Sequence, residues 1–178
     1  MDAKNFDDVK LAGDNPSEQI RASRRADDKW DVYLQNGNIA RAQKIGATLG
    51  GIIAGIHSED ENEDTAVCLR PVLKAFASVA AIESGLPDKL LVRVALNVFY
   101  DVIKKENPHL YEKMGSSGAF TFFYLAWRRP GDRYHHVAET FAMLAGQTDD
   151  ADYITELADS FTRDLNLAEN AVGEVVFE

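Results

Sequence analysis

This sequence predicts an all-α fold: a single-domain bundle of seven or eight helices around a central aromatic helix at about 117–129, with a short extended C-terminal tail. Three observations carry that prediction. Apolar residues recur at three- and four-residue spacing in one segment after another. Each segment is bracketed by residues that start and stop helices. No stretch alternates apolar and polar residues for long enough to found a sheet. The chain has 178 residues, 46% apolar and 27% charged, which suits one domain that buries its own core. The expected layout is a flexible lead-in over 1–15, the bundle over 16–170 and the extended tail over 171–178.

The first helix is expected to start at Asn15-Pro16-Ser17-Glu18 and to end at Asn36-Gly37. Ala22, Ala26, Trp30, Tyr33 and Leu34 share its inner side. The segment 38–57 is unusually rich in small residues. Gly46 and Gly50 lie on one stripe with Ala42 and Ala54, and Gly51 and Gly55 lie beside it with Ala47. Each Gly costs a helix about 1 kcal/mol relative to Ala. Such a helix persists only if another backbone packs closely on its smooth face. Two partners are open: another helix of the same chain, or a second copy. A broken or strand-like segment is the third reading.

Ser58 to Asp64 carries five acids. It lacks the central Gly and the twelfth-position Glu of a calcium loop, and reads as a solvated cap. From Thr65 to Ser84 the apolar set includes Val67, Leu69, Val72, Leu73, Phe76, Val79 and Ile82. Pro71 should kink or split this helix near residue 70, and Gly85 should cap its end. Cys68, the only cysteine, reads as a buried inert thiol. Pro87 and Asp88 open an amphipathic helix with Leu90, Leu91, Val94, Ala95, Val98, Val102 and Ile103 inward and Lys89, Arg93, Asn97, Asp101 and Lys104 outward. Asn107-Pro108 stops it and starts a short helix closed by Gly115.

Ser116 or Ser117 should cap the next helix, which runs Ala119 to Trp127 with only Thr121 to break its apolar run. A helix greasy all round belongs at the centre of a bundle. Asp132 caps a helix with Tyr134, Val137, Ala138, Phe141, Leu144 and Ala145 on one face, closed by Gly146. Asp149 or Asp150 caps the last one, with Ile154, Leu157, Ala158, Phe161 and Leu165 inward. The tail from Val172 to Phe177 is apolar, interrupted by Gly173, and short enough to dock as a strand or to fray.

The charge balance excludes some functions. With 29 Asp and Glu against 19 Lys and Arg, the net charge is −10. Such a surface repels nucleic acid and anionic membrane. The N-terminal residues lack a basic region followed by an apolar run, and no uncharged stretch approaches the roughly 20 residues that span a bilayer. The expected setting is the cytoplasm.

One cluster stands out against the acidic background. Arg128, Arg129, Arg133, Tyr134, His135 and His136 fall within nine residues that hold one acid, Asp132. Arginine pairs grip carboxylate or phosphate with two hydrogen bonds, and a helix N-terminus adds backbone donors. A small anionic ligand fits there. The competing reading is structural: Arg128 and Arg129 sit at a helix C-terminus, where cations are favoured. A metal reading uses His136 with Glu139. The Glu-x-x-His order of di-iron bundles is reversed here and has no second copy. No nucleophile elbow, P-loop, dinucleotide fingerprint or cysteine-based zinc spacing occurs, and no cofactor is implied. The expectation is a non-catalytic interaction or accessory module, a homodimer or the partner of another protein. A small-anion binding protein or enzyme built on 128–139 is the alternative, and a metal-binding bundle the third.

Overall fold

Residues 28–56, 65–148 and 150–178 are described by a computed structural model, and all their regular structure is helical. The helices are α1 (28–35, its described part), α2 (Asn38–Ala54), α3 (Thr65–Gly85), α4 (Lys89–Glu106), α5 (Pro108–Ser116), α6 (Ala119–Trp127), α7 (Arg133–Leu144) and α8 (Ala151–Gly173). The all-α bundle is therefore what the chain forms. The lead-in at 1–15, the helix start near Pro16 and the acidic loop Ser58–Asp64 lie outside the described residues.

Helix starts follow the polar residues that the sequence offers. Asp88 accepts from the Leu90 N–H at 2.8 Å, Asn107 from Leu110 at 3.1 Å, and Asp150 from Tyr153 at 2.9 Å. Asp132 accepts from both Tyr134 and His135. Each satisfies a donor that the first turn would leave unpaired. α6 departs from this pattern: its N-cap is Gly118, left-handed at φ 65, while the Ser117 hydroxyl accepts from the Ala119 N–H. Asn107 does more than stop a helix. Its side-chain amide donates to the carbonyls of Ala54 and Ile56, so it also closes the end of α2.

The centre of the bundle is α3, not the aromatic helix. α3 buries thirteen residues, from Ala66 to Ile82, and touches α2, α4, α5, α6, α7 and α8. α6 buries only Ala119, Phe123 and Ala126, and leaves Phe122 46% and Leu125 59% exposed. Bulk explains the exchange. Ala75, Ala77, Ala80 and Ala81 let neighbours close on α3 from every side, whereas the two-turn α6 carries more aromatic area than one contact face can bury. α3 is long and apolar enough to cross a membrane by composition alone, yet about two thirds of its most apolar stretch is buried inside the protein.

Pro71 does not split α3. It is the seventh residue of the helix, and the element continues through it with the ring buried. Only the second turn forfeits a hydrogen bond there. Gly85 is no left-handed cap either: it is the last helical residue, and a Cβ there would lie 2.7 Å from Val172 of α8. Its small size serves a close approach. The tail is shorter than expected, because α8 continues through residues 171–173 and buries Val172. The last residues dock without forming a strand. Asn38, 1% exposed, donates to the Glu178 carbonyl at 2.6 Å and accepts from its N–H at 3.1 Å, and Arg41 pairs with the Glu178 carboxylate.

The glycine stripe is split between two uses. A Cβ on Gly46 would lie 2.1 Å from the Ala95 carbonyl oxygen, and one on Gly50 would lie 3.0 Å from that of Phe99. The backbones of α2 and α4 meet there, so these two residues serve an intramolecular crossing. Gly51 meets nothing within 4 Å, and Gly55 meets only carbonyls of its own preceding turn. The helix itself is continuous from Asn38 to Ala54.

Two predictions follow from this packing. Gly46→Ala should destabilise the protein by about 2–3 kcal/mol through overpacking against backbone. Gly51→Ala should stabilise it by up to about 1 kcal/mol by removing the helical cost of Gly. Urea denaturation at fixed protein concentration reads both, and equal effects would refute the assignment. The second concerns Asp88, whose carboxyl is held below its ordinary 3.8 by a hydrogen bond from Lys29, aided by the Leu90 N–H. A lowered carboxyl pKa contributes stability above the ordinary value and loses it as pH falls through the folded one. Asp88→Asn keeps the cap but not the ion pair. Its urea midpoint should therefore fall less than that of the wild type on acidification from neutral pH to about pH 2.

Candidate functional site

The aromatic residues meet around Phe76 of α3. Phe120 lies edge-on at 5.5 Å, Phe123 at 5.8 Å and Phe161 stacked at 6.1 Å, joining α6 and α8 to α3. Trp127 bridges Phe161 at 5.8 Å and Tyr134 at 5.6 Å. Edge-to-face and offset pairs of this kind add to what area burial supplies.

The 128–139 cluster is the outer cover of that assembly. The Arg133 guanidinium lies 4.3 Å from the Trp127 ring centroid and 5.6 Å from that of Tyr134. Arg128 lies 4.3 Å over Tyr124 and donates to its hydroxyl. Arg129 is exposed. The two stacked arginines are thus drawn to different rings rather than to one point. His135 and His136 both reach Glu139 at 3.4 Å, one to each carboxylate oxygen. The second nitrogen of His136 faces the Pro130 carbonyl at 3.2 Å. Both nitrogens of that ring therefore face protein oxygens, and neither is directed at open solvent. No three His, Cys, Asp or Glu side chains among the described residues are grouped to hold a metal ion. Cys68 is half-buried rather than fully buried.

The deepest ionisation shift belongs elsewhere. Burial, then the charge of Glu83 and the neighbouring Tyr111, pushes Tyr100 up to about 12. A phenol held neutral so far above physiological pH is poorly matched to proton transfer there.

A concave surface does exist, on the opposite flank of α8. α2, α3 and α8 enclose a cleft of about 210 Å³ whose floor holds the buried Leu49, Ile53 and Ala168. Ile52 and Leu167 stand at its rim, 60% and 68% exposed. The Lys74–Asp164 ion pair, at 3.7 Å, also lines it. Gly51 continues the smooth outer face of α2 beside Ile52. Sequence reasoning found Gly51 but missed Ile52 and Leu167. The signal was present: each breaks the polar face of its helix with a large aliphatic residue.

No family model, curated protein or solved structure matches this chain.

Replacing Arg133 by Ala should cost about 0.5–1 kcal/mol, the usual worth of an exposed cation–π contact. Arg129→Ala, with no ring beneath it, should change the urea midpoint negligibly. Equal losses would mean that stacking on Trp127 does not hold the cover in place.

Proposed function

We propose that this chain is a non-catalytic interaction module of the cytoplasm that pairs with a second copy of itself through the α2–α8 face. One observation carries the reading: two large aliphatic side chains, Ile52 and Leu167, stand exposed on either side of an apolar cleft. Exposed apolar residues scattered singly are ordinary, but a pair flanking a concave apolar floor marks a docking surface.

Charge argues for a second copy as the occupant. α2 carries Lys44, Arg41 (paired with Glu178 of the same chain) and no acid, while α8 carries five acids, of which Asp164 is paired with Lys74, against one base, Arg163. A two-fold axis through the cleft sets α2 of each copy against α8 of the other. An isologous contact of this kind satisfies both helices at once. Gly51 leaves the outer side of α2 smooth enough for close approach. Phe122 and Leu125 of α6 are also exposed, at 46% and 59%.

The small-anion reading at 128–139 has less support. Arg128 and Arg133 are committed to separate aromatic rings, and its acid, Asp132, is engaged as a helix cap.

The test is sedimentation equilibrium on the wild type and on Ile52→Asp/Leu167→Asp. The wild type should be dimeric at micromolar concentration. The double variant should dissociate with a Kd at least about 100-fold higher, as expected when central anchors are lost. Both residues are exposed within one copy, so the variant's secondary structure should be unchanged. A monomeric wild type, or a variant that dimerises equally well, refutes the proposal.

A further inference from the structure

The chain that follows α8 is held by a clasp of side chains at the start of α2. Asn36, Asn38 and Arg41 together address every polar group of Glu178. The Asn38 amide donates to the Glu178 carbonyl at 2.6 Å, and its oxygen accepts from the Glu178 N–H at 3.1 Å. The Asn36 amide donates to the same carbonyl at 3.1 Å. Arg41 donates to the Glu178 carboxylate at 3.0 Å through one guanidinium nitrogen. Through another it donates to the Asn38 side-chain oxygen and the Asn36 carbonyl, which fixes the clasp itself.

Three features describe a recognition site. Asn38 is only 1% exposed, and it pairs both ends of its amide with the main chain of one residue. A neighbouring antiparallel strand reads an extended backbone by the same two bonds. The held segment has a pattern: Val175 and Phe177 are half-buried against the core, Val176 between them is 76% exposed, and Glu178 is paired. The segment is also separable, because no residue after Val172 is fully buried. It can leave while α8 stays packed. Its departure strands the buried Asn38 amide, at the cost of an unsatisfied polar group, unless another segment with the same groups takes its place.

We infer that the Asn36–Arg41 clasp is a recognition site for an extended peptide of apolar-x-apolar-Glu pattern on a partner protein, closed in this structure by the chain's own residues 175–178. The Asn38 bonds accept any extended main chain, Arg41 selects the acid, and α2 carries no acid to repel it. A short tether gives the chain's own segment an effective concentration in the millimolar range. A partner's peptide therefore binds in proportion to the fraction of clasps that are open. The clasp lies at the other end of α2 from Ile52, and the inference does not rest on the pairing proposed above.

The test uses the full chain and a fluorescent, acetylated and amidated peptide Glu-Val-Val-Phe-Glu, followed by anisotropy. Phe177→Ala/Glu178→Ala weakens the chain's own segment and leaves the clasp intact. This variant should bind the peptide at least about tenfold more tightly than the wild type does, and the milder Glu178→Ala should fall between the two. Binding should move the Asn38 side-chain amide resonances. A peptide N-methylated at its last residue lacks the N–H that Asn38 reads, and should bind at least about fivefold more weakly. Adding Arg41→Gln to the double variant should weaken binding a few-fold, as for a partly exposed ion pair. No binding at millimolar peptide overturns the proposal. So does equal binding by wild type and both tail variants, undiminished binding of the N-methylated peptide, or binding that leaves the Asn38 resonances unmoved.

Discussion

The architecture depends on α3 keeping only a narrow wet stripe. Thirteen of its residues are buried, and only Val67, Arg70, Lys74 and its end residues are exposed, so other helices enclose most of its circumference. Every other helix from α2 to α8 packs against it. Alanines let the backbones draw near, and Phe76 supplies the one large anchor, fully buried among rings from α6 and α8. Deleting a buried Phe typically costs about 3–5 kcal/mol, a large share of the roughly 5–15 kcal/mol that separates folded from unfolded chains. The remaining helices are short and individually marginal in water, so their stability comes from contact with this axis.

Much of this was legible in the sequence, because helix starts and amphipathic faces are local properties. Asp88, Asn107 and Asp132 cap helices where their type and position say they should. The wet face of α4 falls on Lys89, Arg93, Asn97, Asp101 and Lys104. Gly46 and Gly50 announced a close crossing before its partner was known. The partner was not legible: the crossing is made against the backbone of Ala95 and Phe99 on α4, and backbone leaves no side-chain signature. The centre was misplaced for a related reason. Hydrophobicity ranks α6 above α3, but enclosure depends on how closely neighbours can approach, and small residues win that contest over aromatic ones.

The 128–139 cluster shows what a one-dimensional reading omits. Arginine, tyrosine, tryptophan and histidine within a few residues look like a ligand site, because all of them bind ligands well. The same residues are also the best covers for an aromatic core, since each has a flat or long apolar part and a polar end. Which role prevails is set by whether the guanidiniums converge. Here Arg133 lies on Trp127 and Arg128 on Tyr124, so they are splayed. Arg70 and Arg163, 93 positions apart in the sequence, line one groove only because α3 and α8 pack together.

α8 is the element on which both clefts depend. Its inner side holds Leu157, Phe161, Leu165, Ala168 and Val172 against the bundle. One flank carries Tyr153, Glu156 and Arg163 toward the groove that Arg70 of α3 also lines, and the other carries Asp164 and Leu167 toward the apolar cleft. α8 is held at two points: Phe161 stacks on Phe76 and meets Trp127 edge-on, and the small Gly85 lets Val172 approach α3 closely. A helix held at both its middle and its end sets the position of both clefts at once.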